Sequence, residues 1–259
     1  MRDLGGRVLI GLGVIVAAVV AVGYGFVFMG IATPPGSGLG TVDVPPDGEV
    51  AATILDDGLP VFVGAADGMV WVLDAREPRD AGELDVLVGW CPTDEAFVGT
   101  RPTSIFAADG SVLRGPDTDG LTAYATAPVD GDPSRVRVDD TTSVRPLAAE
   151  ERQISYSCGA GDWVVHRPQP GEIFDPSVAA DVEPPGWSWF EGTLRAFGNQ
   201  ALLCDGLGAG DCPAGAVASG IDPATLPAAG VAGRFLGIVH DGTIEGLIFA
   251  PDPAPTEAS

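Results

Sequence analysis

Four cysteines and two histidines are the side chains of this chain that could grip a metal, form disulfides or serve a nucleophile. Cys204 and Cys212 stand eight apart around a glycine-rich turn, CDGLGAGDC, which reads as a local disulfide stapling a hairpin-like loop. That leaves Cys91 with Cys158, whose bond would close a long loop and contribute roughly 3–4 kcal/mol by restricting the unfolded chain. The rival for this pair is a metal site completed by His166. Its members lack the short spacing, such as Cys-x-x-Cys, that metal sites favour. His166 ends the apolar run WVVH and is expected to be partly buried, while His240 precedes Asp241-Gly242 at a strand end and is expected at the surface.

Other constellations point to turns. Asp117-Thr118-Asp119-Gly120 is similar to a fragment of a calcium loop, but the twelfth position of such a loop needs a glutamate and Pro128 stands there. Asp56-Asp57 and Asp139-Asp140 lie beside turns and read as solvated carboxylates. The chain has no G-x-S-x-G elbow and no lysine, which removes the nucleophile elbow and the phosphate-binding P-loop together. Trp187-Ser188-Trp189-Phe190 follows a proline run. The cluster is expected in a core or between packed elements, with a ligand-stacking surface as the alternative.

The elements that must position these residues are short. The chain has 37 glycines and 23 prolines among 259 residues, with 46% apolar content, which suggests many strands and turns. Expected strands include Leu59 to Val63 and Met69 to Leu73 around the turn Gly64 to Gly68, Leu84 to Trp90, and Ser104 to Phe106 with Val112-Leu113 around Asp109-Gly110. Arg135 to Val138 alternates like an edge strand, and Gln153 to Tyr156 and Trp163 to His166 read as strands. Pro168 to Pro185 reads as a linker or ordered loop. Beyond Trp189, EGTLRAFG, QALLCDG, AGRFLGIVHDG and TIEGLIFAP are strands between glycine turns, compatible with a small β-barrel. Asp222 should cap a single helical turn that begins at Pro223.

Residues Val8 to Ala32 carry no charge and are long enough to cross a bilayer. Arg2 and Arg7 precede them and the next charge is Asp43, which places the N-terminus in the cytoplasm and the remainder outside. Cleavage after Gly30-Ile31-Ala32 is the alternative. Residues 1–7 carry two Arg and one Asp, net +1, so the rest of this −23 chain carries −24. Such a surface repels phosphate backbones and argues against nucleic-acid partners.

One stretch is similar to a known family. From Leu87 to Tyr124, LVGWCPTDEAFVGTRPTSIFAADGSVLRGPDTDGLTAY resembles the cluster-binding half of a Rieske iron–sulfur domain. LPVFVGAADGMVWVLDAR resembles its opening strands. Phe106, Asp109-Gly110, Gly115-Pro116 and Leu121 occupy the places of its phenylalanine, turn, Gly-Pro and closing leucine. The resemblance spans about Val50 to Asp140. A Rieske [2Fe–2S] cluster takes two thiolates and two imidazoles, arranged as Cys-x-His and a later Cys-x-x-His. Here Cys91 holds the first place, Thr93 stands for the first histidine, and Gly99 and Pro102 for the second pair. The resemblance thus implies the fold without the cluster.

The combined expectation is an all-β protein. It comprises a cytoplasmic N-terminus (1–7), a transmembrane helix (8–32), a Pro/Gly stalk (33–49), a Rieske-like β-sandwich domain without cluster ligands (50–150), a second small β-barrel-like domain (151–250) and a disordered tail (251–259). The expected role is non-catalytic: a single-pass cell-membrane protein with outer domains acting as a structural or accessory subunit beside other membrane-complex subunits. No catalytic, cofactor-binding or metal residue is assigned. The alternative is electron transfer through a retained [2Fe–2S] cluster in a respiratory membrane complex.

Overall fold

The computed structural model describes residues 38–251, apart from 80–81, 100–103, 116–118, 147–157, 159–161, 170–171, 177–178, 180–186, 206–211 and 213–214. The expected membrane span 8–32, the strand 153–156 and the tail 252–259 lie outside the described residues. Among the described residues no helix is long and apolar enough to cross a membrane.

The described chain is all β. In order its strands are β1 (Gly38–Asp43), β2 (Val50–Ile54), β3 (Pro60–Ala66), β4 (Met69–Asp74), β5 (Asp85–Val86), β6 (Gly89–Cys91), β7 (Ala96–Val98), β8 (Ile105–Ala107) and β9 (Val112–Arg114). They continue with β10 (Asp119–Val129), β11 (Asp132–Pro146), β12 (Ile173–Phe174), β13 (Trp187–Phe197), β14 (Gln200–Asp205), β15 (Gly215–Ala218), β16 (Val231–His240) and β17 (Thr243–Ala250). A short 3-10 turn, Pro223–Thr225, is capped by Asp222, whose carboxylate accepts from the Ala224 N–H at 2.9 Å. This is the cap expected from the Asp-Pro pair.

The first six-stranded sheet runs β1-β11-β10-β4-β3-β2. Its hairpins form where alternating apolar residues meet turn residues. Asp67 and Gly68, both with positive φ, make the β3–β4 turn. Gly64 and Ala66, expected in that turn, instead belong to β3. The reason is packing: Trp71 is the cross-strand partner of Gly64 and lies where a Cβ on Gly64 would be. Two more expectations change. Residues 38–43 of the expected stalk form β1, with Val42 buried in a small core beside Val61, Val63, Val72 and Val138. Because β1 flanks β11, Arg135 to Val138 is not an edge strand.

A second sheet, β6-β7-β8-β9, is an antiparallel meander of three-residue strands. In the third, β13, β14, β15, β17 and β16 follow one another as hydrogen-bonded neighbours, and β16 pairs back onto β13, so the pairings form a ring. Within the ring every pairing is antiparallel except β15–β17. The parallel strands β12 and β5 attach to it at β13 and β17.

The cores explain how these sheets hold together. Phe62, Leu73, Trp90, Phe97, Phe106 and Leu121 from the first two sheets share one buried cluster with Trp189, Leu236 and Ile248 from the third. The expected division at residue 150 is therefore crossed by packing. A separate cluster, with Phe190, Leu194, Leu203, Phe235 and Ile244, fills the ring.

Candidate functional site

The loop from β6 to β7 holds the chemistry singled out in the sequence. Cys91 ends β6 and is fully buried. Pro92 to Glu95 turn the chain, with Glu95 at φ 49°, and Ala96 pairs back onto Cys91. Thr93 points outward as an exposed turn residue. The Cys91 sulfur is bonded to Cys158, 67 residues later, with the Cα atoms 5.9 Å apart. The second expected pair, Cys204–Cys212, is also a disulfide, with Cα atoms 5.3 Å apart. The Asp94 carboxylate lies 3.1 Å from the Cys91 sulfur. A disulfide sulfur carries no proton, so this approach is a contact and not a hydrogen bond.

Downstream of Cys158, Trp163 to His166 lie against the first block. Val164 exchanges two backbone hydrogen bonds with Trp90, each 3.0 Å. Only this bridge forms where a strand was expected. Gly89 leaves the room that Trp163 and Val165 occupy. His166 follows, buried and edge-on to Phe62 with ring centroids 4.9 Å apart. Its Nε2 sits 2.9 Å from the Thr53 carbonyl and 3.0 Å from the Val61 carbonyl. Both neighbours only accept, so Nε2 carries the proton and donates to them. Nδ1 is buried with no hydrogen-bond partner among the described residues. Burial removes water from the imidazolium and pulls the pKa down to about 4, against the opposing pull of the two carbonyls.

A polar hub missed in the sequence lies at the end of β4. The buried Asp74 carboxylate accepts a fork from Arg76, with Nη2 at 2.6 Å and Nε at 2.9 Å. Tyr124 on β10 donates to the same carboxylate at 2.8 Å. Arg76 also reaches Asp85 on β5 at 3.5 Å. Desolvation, followed by the Asp74 charge, raises the Tyr124 pKa, and desolvation raises that of Asp85. The hydrogen bonds to Asp74 hold the Arg76 guanidinium charged more firmly still. Next to it the buried Glu77 pairs with Arg79 at 2.8 Å. The alternation of acid and base in DAREPR was the available signal, but nothing in the sequence placed Tyr124 beside it. Each acid of this hub faces a base or a hydroxyl, which suits a structural lock joining β4, β10 and β5.

The remaining candidates separate. His240 is exposed at the β16–β17 turn, 3.7 Å from Asp241. Asp57 accepts from the Leu59 N–H in the β2–β3 turn, and Asp139 pairs with Arg137 at 3.0 Å. Asp119 begins β10, while Asp117 and Pro102 lie outside the described residues. Trp189 is buried in the main core, so it lines no open groove. Trp187 lies between Gly58 and Gly246. Among the described residues, Cys91, Asp94 and Cys158 are brought together with metal-capable atoms within 4.8 Å of one another, and neither histidine joins them. A scan against protein-family models finds no match for this chain, and a search of curated proteins finds none either.

Proposed function

We propose that this chain is a membrane-anchored extracytoplasmic protein whose first β block is a degenerate Rieske-like domain, acting as a structural or accessory subunit and not as an electron carrier. The observation that carries this reading is the Cys91–Cys158 bond. Cys91 is the one residue at a Rieske ligand position that could bind iron, and in the disulfide it has no thiolate to offer. Thr93, at the adjacent ligand place, is an exposed hydroxyl on a turn. Support for the scaffold comes from the order of elements. A paired β3–β4 precedes the Cys91 loop, Phe106 and the Asp109-Gly110 turn lie on the β8–β9 hairpin, and Leu121 is the third residue of the long strand β10.

The anchor is residues 8–32, with the N-terminus in the cytoplasm. Two disulfides suit the oxidising compartment that this orientation gives. Other subunits of a membrane complex are the expected partners, and nucleic acid is disfavoured by the net charge of −23. The ring of β13 to β17 forms the second, barrel-like part.

The test is iron content and visible absorption of the full chain purified without chelators. Folded, colourless protein without stoichiometric iron is expected. Stoichiometric iron with a Rieske-type spectrum would replace this reading by electron transfer through a [2Fe–2S] cluster.

A further inference from the structure

The β6–β7 turn sets a carboxylate against a disulfide. Asp94 is half-buried, its Oδ2 is 3.1 Å from the Cys91 sulfur, and both sulfurs are buried. All three donor atoms lie within 4.8 Å of one another. A carboxylate gains little from a proton-free sulfur. It gains much more once that sulfur becomes a thiol that donates to it, or once a cation lies between them. Three donors bound to one tetrahedral zinc-type ion sit roughly 3.5–3.8 Å apart. The Cys91 and Cys158 sulfurs reach that separation by side-chain rotation, with Cα atoms already 5.9 Å apart.

We propose that Cys91, Cys158 and Asp94 form a redox-gated site for one thiophilic divalent cation of the Zn2+ or Cd2+ class. The disulfide form is closed to the ion. A dithiol reductant opens it: the S–S bond breaks and takes up two electrons and two protons, and the reductant leaves as its own disulfide. The cation then displaces both thiol protons, forms two metal–sulfur bonds and takes Asp94 as its oxygen ligand. Water completes the tetrahedron, as in open zinc sites. Two thiolates select a soft or borderline ion over Mg2+ or Ca2+. Before the ion arrives the site is two neutral thiols beside the Asp94 carboxylate, and it reaches three negative charges only as the ion displaces the thiol protons; the surrounding chain of −23 favours cation entry. His166, the third member of the metal site weighed as the rival reading for these cysteines, is engaged instead with Thr53 and Val61. In either redox state the Cys158 end of the polypeptide stays fastened to the β6–β7 turn, first by a covalent bond and then by the ion.

The test uses the full chain carrying Cys204→Ser and Cys212→Ser, so that only Cys91 and Cys158 can respond. The protein is reduced with a phosphine and titrated with Cd2+, following the ultraviolet sulfur-to-cadmium charge-transfer band. A saturable band at one Cd2+ per chain is expected, with no band before reduction. Asp94→Asn should keep the band and weaken binding about tenfold, and Cys158→Ser should lose the stoichiometric band. If reduction unfolds the chain, Cd2+ should restore the near-ultraviolet dichroism of its tryptophans. If the serine background does not fold, reduced wild type should bind one more Cd2+ than a Cys91→Ser/Cys158→Ser chain. The proposal is overturned by an absent band, by equal affinity in Asp94→Asn, by equal binding before reduction, or by a reduced chain that stays unfolded with Cd2+.

Discussion

Acidification sets protonation of His166 against its burial. In the folded chain the imidazole stays neutral down to about pH 4, because burial strips water from its charged form. In the unfolded chain it takes a proton near 6.5. Between those values the unfolded state binds more protons, so stability falls as pH falls. Above 6.5 neither state is protonated and the effect is absent; below about 4 both are and the loss is complete. Each pH unit inside the window removes about 1.4 kcal/mol, and the whole window about 3 kcal/mol. That is a large share of the roughly 5–15 kcal/mol that stabilises a typical domain. The assay is urea unfolding of the full chain across this window, wild type beside His166→Gln, read by tryptophan fluorescence. Glutamine keeps a donor for the Thr53 and Val61 carbonyls and does not titrate. Carboxylates titrate alike in both proteins, so the difference between the curves isolates the imidazole. The wild-type advantage over the variant should shrink by about 3 kcal/mol from neutral pH to pH 4. A difference that stays level refutes the assignment of His166 as a buried, neutral Nε2–H donor.

Three further outcomes follow from the packing. Gly58 has φ +84° and lies under the Trp187 indole, so Gly58→Ala should lower stability by about 3 kcal/mol or more, measured by thermal unfolding. Tyr124→Phe removes one of the donors on buried Asp74 and should cost about 2 kcal/mol in chemical denaturation, while Tyr124→Phe in an Asp74→Asn background should cost clearly less. Replacing Cys91 and Cys158 by alanine frees a loop of 67 residues and should cost about 4 kcal/mol, against about 2.5 kcal/mol for the eight-residue loop of Cys204 and Cys212. Calorimetry of the two double variants orders them, and the reverse order would contradict the loop-entropy account.

Local chemistry explains what was legible in the sequence. Asp109-Gly110, Asp222-Pro223, Gly198 and Asp241-Gly242 encode their turns in neighbouring residues, and the structure has them there. The two disulfides were reachable because four cysteines admit few pairings and one pair is close in sequence. Gly64 misled because two demands on glycine look alike in a sequence: freedom at positive φ, and absence of a side chain beneath Trp71. β1 was hidden because its partner β11 lies far along the chain, and proline and glycine on either side imitate a linker. The hub of Asp74, Arg76 and Tyr124 and the seating of His166 depend on contacts 50 and 113 residues apart, which no local pattern carries. Nothing in the local pattern around Asp94 announces its approach to the Cys91 sulfur, which the fold alone brings about.

The buried cluster shared by Phe62, Trp90 and Phe97 with Trp189, Leu236 and Ile248 limits how this gene can be cut or recombined. A fragment ending near residue 150 would carry the bare face of Phe62, Trp90 and Phe97 into solvent, and its complement would carry the matching face of Trp189, Leu236 and Ile248. Each is the kind of surface that chaperones hold and proteases find. Swapping either half for a homologous segment would succeed only if both sides of that seam travelled together, so the halves are bound to be inherited as one piece.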